Sequence, residues 1–514
     1  MFKDETLAII DLGTNKFHLI IVELISAHEF RIKEKYKEPV LLGEGEAGTL
    51  SSESFERGLA AMRRFKQLIE TRGANTVLAF ATSAIRSAAN GADFVRKVFS
   101  ETGISIQIIN GNEEAAYIYQ GVRFGLTLPV EEDVLMVDIG GGSVEFIVGN
   151  RLNAKLLRSV NIGASRLMQQ IRPSDPITPE EVKRTEAYLS EKLGPLLEEL
   201  REFQIQTLVG SSGTFDTLGA IAASEADEAR PLSGINGYTF DQRRLKKVYK
   251  RIVAGNRAQR LAMPGMEPYR VDLIVMGSIL VNFIVERLSL SRVTVSAYSL
   301  KEGMLAAYID KQLNRPHHSR DEAGQREKAV RALAEKFNYA KDHIDLVAKL
   351  ALKLFDATQN VHGYGADERE LLHYAALLHD IGHFINRSGH HKHSQYIIQN
   401  SALPGFSTDE LLTIANIARY HRKSLPSPEH LHFNLLFKEH KERVKKLAGI
   451  LRLAVNLDRG YRGVVKDVEL AVNARQFTLA VHAADNAELE IEAARAAAEL
   501  FEVAFDVKLF IKQV

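Results

Sequence analysis

Cysteine is missing from all 514 residues, so no disulfide can brace this chain, no thiolate can hold a metal and no thiol can serve as nucleophile. Hydrolytic chemistry would fall to carboxylates, histidines and an oxygen-ligated metal. Long apolar runs are missing too, and none reaches the length of a membrane span. The opening MFKDETLAIIDLG sets acidic residues before a short apolar strand and does not read as a secretory signal. A surplus of one charge is the third absence: 66 basic residues face 65 acidic ones, which leaves no global field for a nucleic acid or a membrane. A polyanion would have to be gripped by a local basic site. The plain expectation is a cytoplasmic protein without nucleic-acid or membrane partners. What is present, 45% hydrophobic and 25% charged residues, suggests about three to four domains with sizeable cores.

Residues 7–24 (LAIIDLGTNKFHLIIVEL) read as strand, tight turn, strand, and so do residues 134–149 (VLMVDIGGGSVEFIVG). Laid over each other, Asp11 meets Asp138, Gly13 meets Gly140, Lys16 meets Ser143 and His18 meets Glu145. One supersecondary unit is used twice, in two related α/β halves, 1–125 and 126–313. In the first, helices at 53–72 and 91–101 alternate with strands at 76–81 and 104–109. In the second, a helix at 178–202 and a strand at 205–209 precede the loop GSSGTF at 210–215, and a strand at 292–296 follows later. The polar stretch NRPHHSRDEAGQ at 314–325 reads as a linker. An all-α, histidine-rich region is expected over 320–463, then a small α/β tail over 464–514, with strands at 466–472 and 475–482 and a helix at 491–501.

A tight Asp-x-Gly-Thr-Asn hairpin brings several backbone N–H groups to one point, and such nests bind phosphate oxygens. Asp11 and Asp138 could hold Mg²⁺ across two such hairpins. Glycine at 140, 141 and 142 lets a backbone approach a phosphate closely. The competing reading is that Asp-Gly turns are simply good hairpin loops. Glu145 alternates with Val144 and Phe146, so it projects to the opposite face, either into a cleft or out to solvent. Glu113 and Glu114 fall in the first turn of a helix that Asn112 can cap, where acids favour the helix dipole whatever else they do.

Together, AIIDLGTNKF (8–17), ATSAIRSAANG (81–91), NGNEEA (110–115), VDIGGGSVEF (137–146), GSSGTF (210–215) and VSAYSLKEG (295–303) resemble the exopolyphosphatase and guanosine pentaphosphate phosphohydrolase family. The resemblance implies an α/β fold class, two actin-like, ribonuclease H-like lobes. HYAALLHDIGHFINRSGHHKHSQYIIQNS (373–401) and ARYHRK (418–423) resemble the helical, HD-like third domain of its longer members. It further implies that Glu114 places or deprotonates the attacking water, with Glu113 beside it, and that Arg86 grips the terminal phosphate. Asp138 and Glu145 would carry Mg²⁺ or Mn²⁺. The phosphate-binding set would be Asp11, Gly13, Thr14, Asn15, Lys16, Gly140, Gly141, Gly142, Ser143, Ser212, Gly213 and Thr214. A helix-dipole position would keep Glu114 ionised.

In the helical region the pair His379-Asp380 resembles that of HD-type phosphohydrolases, and His343 and Asp458 fall on apolar helix faces. With His393 and His421 they could hold a second divalent metal, or all six could be hydrogen-bonded core residues. The basic residues Arg387, Lys392, Arg419, Arg422 and Lys423 read either as a rail for a long polyanion or as a solvated face. The leading function is release of terminal phosphate from inorganic polyphosphate, guanosine pentaphosphate or both. The alternatives are an HD-type nucleotide hydrolase with the actin-like part as sensor, and a nucleotide-gated scaffold. A homodimer is the expected assembly.

Overall fold

The computed structural model describes residues 5–25, 30–43, 48–224, 235–312, 322–401, 403, 405–434, 436, 438–473 and 475–514. These form two compact units, the first ending at 312 and the second opening at 322. The linker expected at 314–325 lies outside the described residues as far as 321, and from there the helix Glu322–Lys336 begins.

Two sheets build the first unit. One has the order β3-β2-β1-β4-β5, with β1 Glu5–Leu12, β2 Lys16–Leu24, β3 Phe30–Pro39, β4 Thr76–Ala81 and β5 Ile106–Ile108. The other has the order β10-β11-β9-β6-β7-β8, with β6 Val134–Ile139, β7 Val144–Gly149, β8 Ala154–Val160, β9 Thr207–Ser211, β10 Thr239–Asp241 and β11 Arg292–Ser296. Read from its far end, β8-β7-β6-β9-β11 repeats β3-β2-β1-β4-β5, with antiparallel pairings giving way to parallel ones at the same place. The duplication seen in two hairpins thus extends to the whole topology. β6 and β7 are buried along their full length, as central strands covered on both faces should be. β3 is an edge strand, with Arg31, Lys33, Lys35 and Lys37 exposed along it, a usual guard against edge-to-edge pairing.

Alternation along β1 divides its apolar residues between two cores. Ala8, Ile10 and Leu12 pack with the helices Ser52–Thr71 and Gly91–Thr102. Leu7 and Ile9 face a second cluster containing Ile118 and Val122, Met304 and Leu305, and also Val134 and Met136 of the other sheet. Two helices, Gly111–Gly125 and Leu300–Gln312, therefore sit in a core shared by both sheets. The halves expected at 1–125 and 126–313 are not separate in packing, because Leu300–Gln312 returns to β1. These two helices cross where both have glycine: a Cβ on Gly121 would lie 2.0 Å from the Ser299 carbonyl oxygen, and one on Gly303 would lie 1.7 Å from that of Tyr117.

The second unit has helices from Glu322 onward and a three-stranded sheet, β12-β13-β14, with β12 Val465–Asn473, β13 Gln476–Ala483 and β14 Lys508–Gln513. Phe477, Leu479 and Ile511 of this sheet share one core with Leu350, Leu377 and Leu451 of the helices, so residues 464–514 pack as part of the helical unit. The helix expected at 491–501 is two, Glu488–Ala497 and Glu499–Phe505, and β14 escaped the sequence reading. Among the described residues no helix is long and apolar enough to cross a membrane.

The glycine crossing gives a stability test. Gly303→Ala forces backbone apart in a packed core, which costs at least about 1–3 kcal/mol. The midpoint of the unfolding transition assigned to the first unit should fall in thermal denaturation; an unchanged midpoint would contradict so close an approach.

Candidate active site

The repeated hairpins place their acids by register. Across β1 and β2, Asp11 is paired with His18; across β6 and β7, Asp138 is paired with Glu145. Being opposite on neighbouring strands, the last two project to one face of the sheet. Asp138 is 7% exposed and Glu145 1%, so the reading of Glu145 as a solvent-facing strand residue is overturned. Hydroxyls answer both. Ser211 donates to Asp138 Oδ2 at 2.6 Å and Ser299 donates to the same oxygen, while Ser159 donates to Glu145 Oε1 at 2.7 Å. Ser143, expected in a phosphate loop, has its hydroxyl on Glu145.

Glu114 comes in on the helix Gly111–Gly125, whose capping box is closed by Asn110 rather than Asn112. The Asn110 side chain accepts from the Asn112 and Glu113 amides, and the Asn110 amide donates to Glu113 Oε2 at 2.7 Å. Glu113 is thereby exposed and engaged in the helix start. Glu114, one residue on, turns inward to 7% exposure and accepts from Arg86 Nη1 at 2.8 Å; the same nitrogen donates to the Ile109 carbonyl at 3.0 Å. Arg86 thus holds the carboxylate as well as facing the site.

Burial dominates the electrostatics. Desolvation raises Glu114 to about 7 against the pull of Arg86, with Asp11 and Asp138 adding to the rise. Glu145 is pushed well above the carboxylate range by burial, then by Glu114 and Asp138, and Asp138 is raised by burial, against the hydrogen bonds from Ser211 and Ser299. Against the expectation that a helix start keeps Glu114 ionised stands its burial, which raises the carboxyl to about 7.

The two turns touch. A Cβ on Gly141 would lie 2.8 Å from Asn15 Nδ2, and one on Gly142 2.6 Å from Ser83 Oγ and 2.9 Å from Thr14 Oγ1. The bare glycine faces admit the other hairpin, and Asn15 Nδ2 donates to Ser165 Oγ at 2.7 Å across the gap. Thr14, Gly141 and Gly142 line, with Ser87, Ser165 and Arg166, a cavity of about 90 Å³. A Cβ on Gly13 and one on Gly140 would meet the equivalent carbonyls, of Lys16 at 3.0 Å and of Ser143 at 3.1 Å. In the third loop, Ser212 has a left-handed φ of 72° and its hydroxyl donates to the Ile139 carbonyl at 3.0 Å. Gly213 carries the Arg270 guanidinium against its backbone, and Thr214 packs on Gly277 in the core. Lys16 lies 3.1 Å over the Tyr269 ring, its ammonium lowered to about 8 by burial and then by Arg270 and Lys37. Ser159 and Arg270 were missed by sequence reading, and Ser211 and Ser299 lie inside motifs it singled out without being assigned to Asp138.

In the second unit His343, His379, Asp380 and Asp458 are buried together, joined by His421. His393 stands outside that group. His390, one turn earlier on the helix His390–Gln399, enters it instead, with Nε2 3.3 Å from Asp380. Of the basic residues read as a rail, Arg422 lies with Nη1 3.2 Å from the His390 ring.

The descriptions of known proteins agree with this architecture. The model of the Ppx/GppA phosphatase family matches residues 21–312, and that of Ppx/GppA phosphatase domain III matches residues 325–500. An exopolyphosphatase from Cytophaga hutchinsonii is 32% identical with a TM-score of 0.57, over 60% of this chain and 98% of that one. The Aquifex aeolicus Ppx/GppA family member is 27% identical with a TM-score of 0.51, again over 60% of this chain and 98% of that one. The two sheets are therefore a pair of actin-like lobes, and the matched segment spans more than half of the sequence. By its fold and by the family model, the chain belongs to the Ppx/GppA phosphatase family and is a phosphate hydrolase.

Proposed function

We propose that the first unit cleaves the terminal phosphoanhydride bond of inorganic polyphosphate or guanosine pentaphosphate, using water placed by Glu114. The observation that carries this reading is the meeting of Glu114, Asp138 and Glu145, all buried, beside two glycine turns. Likeness to a protein named an exopolyphosphatase favours polyphosphate.

Phosphoryl transfer passes through a loose transition state, so the site must chiefly position water and offset charge on the departing group. A base works best when its pKa lies near the working pH, and burial brings Glu114 to about 7. Arg86 keeps that carboxylate aimed through Nη1, and its guanidinium fork leaves further N–H donors for phosphate oxygens. Asp138 and Glu145 fit Mg²⁺ or Mn²⁺, because carboxylates raised by burial and by neighbouring acids would gain from a cation held beside them. Once bound, such an ion supplies positive charge to the phosphate oxygens. Lys16, over the Tyr269 ring with Arg270 nearby, is the cation assigned to the rest of the phosphate chain.

Replacing Glu114 by Gln should lower kcat for phosphate release by roughly 10²–10⁴-fold with KM nearly unchanged, since shape and helix start survive but the proton acceptor does not. Turnover at the wild-type level would move the chemistry elsewhere in the chain. Glu145→Ala should shift the Mg²⁺ titration of activity to higher concentration, and an unaltered titration would remove Glu145 from the metal. Lys16 sets a pH dependence: its ammonium becomes neutral above about pH 8, so anion binding there must take up a proton and KM should rise. Lys16→Arg keeps the charge at every pH and should flatten the rise; if the rise persists, another group causes it.

A further inference from the structure

Four histidines of the second unit have Nδ1 set against an oxygen acceptor. Nδ1 lies 2.7 Å from the Ala376 carbonyl in His379, 2.6 Å from that of Ala418 in His421 and 3.1 Å from that of Arg387 in His390. In His343 it lies 2.7 Å from Asp458 Oδ2. Carbonyl and carboxylate oxygens only accept, so Nδ1 of His343, His379 and His421 carries the proton and Nε2 presents a lone pair, whereas Nδ1 of His390 also meets His383 Nε2 at 2.7 Å and the Arg422 guanidinium at 3.2 Å.

All four Nε2 atoms converge on one carboxylate. Nε2 of His390, His379, His343 and His421 stand 3.3, 3.6, 3.7 and 3.9 Å from oxygens of Asp380. His390 Nε2 and His421 Nε2 are 3.2 Å apart. An acceptor cannot satisfy an acceptor, and Nε2 of His343 and of His379 are buried without a hydrogen-bond partner. Two donors held about 2.0–2.2 Å from one ion are themselves separated by roughly 3.0–3.6 Å, close to the spacing here. The carboxylate–imidazole pair of Asp458 and His343, and the carbonyls behind the other three rings, are the outer partners that orient metal-bound histidines.

Asp380 serves both sides of the pocket. It closes one triad with His343 and His379 and another with His383 and His390. His383 spends Nε2 on His390 Nδ1 at 2.7 Å, so it supports His390, and His421 is the better partner on that side. We propose that this pocket is a metal centre of its own, holding two divalent transition-metal ions bridged by Asp380. One ion takes His343 and His379, the other His390 and His421. Imidazole-rich donors favour Zn²⁺ or Fe²⁺ over Mg²⁺, which separates this centre chemically from the carboxylate cleft of the first unit. The inference does not depend on the function proposed for that cleft.

The test uses the full chain with Asp138→Asn and Glu145→Gln already in place, so that cleft carboxylates do not contribute. The protein is stripped by a chelator, reloaded with Zn²⁺, desalted and measured for metal content and thermal midpoint. Two Zn²⁺ per chain are expected, with a rise in the midpoint of the second unit. His390→Gln should retain one ion, Asp380→Asn none, and His393→Gln, on the same helix but outside the pocket, both. If Asp380→Asn fails to fold, the His390→Gln and His393→Gln pair decides the matter alone. A content of one or none before substitution, or equal content in His390→Gln and His393→Gln, would overturn the proposal.

Discussion

Two carboxylates buried side by side repel each other and lose their water at once, and the surroundings of Asp138 and Glu145 work against that repulsion. Ser211, Ser299 and Ser159 each give a hydroxyl proton to them, drawn from β9, from the turn after β11 and from β8. Those three segments must be in register with β6 and β7 for the donors to arrive. The carboxylates are raised even so, which marks the hydrogen bonds as partial compensation and leaves room for a cation to complete it.

The close meeting of the hairpins has the same origin. A side chain at 141 or 142 would strike Asn15, Thr14 or Ser83, and one at 163 would lie 2.4 Å from the Gly141 carbonyl carbon. Glycine at 141 and 142 admits the other hairpin. The shared core of helices Gly111–Gly125 and Leu300–Gln312 then fixes both sheets against one another, and it carries Glu114 at the start of one helix and Ser299 just before the other. Positioning of Glu114, Asp138 and Glu145 is thus a packing property of the whole first unit.

The duplicated hairpin was legible because β-period alternation and turn chemistry are local. Aligning the hairpins matched Asp11 with Asp138 and His18 with Glu145, and the structure adds that His18 is paired with Asp11 and Glu145 with Asp138 across neighbouring strands. What escaped is set by tertiary contact. No local pattern tells that Ser211 and Ser299 converge on Asp138, or that Leu300–Gln312 rejoins the first sheet. Glu113 and Glu114 are adjacent acids, and only the capping box shows that one is spent on the helix start and the other turned inward. His393 was chosen over His390 because the helix was not known to begin at 390, which sets which ring faces Asp380. β14 was missed since its partner, β13, lies 24 residues back across two helices.

The central claim is that burial and neighbouring acids raise the carboxylates of the first unit and that a divalent cation joining them offsets that rise. Titrating Mg²⁺ into the protein near pH 7 in weak buffer, with proton release recorded, tests this directly, since Mg²⁺ is a poor ion for the histidine pocket of the other unit. Binding should expel protons, and the release should vanish in Asp138→Asn/Glu145→Gln. Mg²⁺ that binds without proton release, or releases as many protons in that variant, would contradict the account.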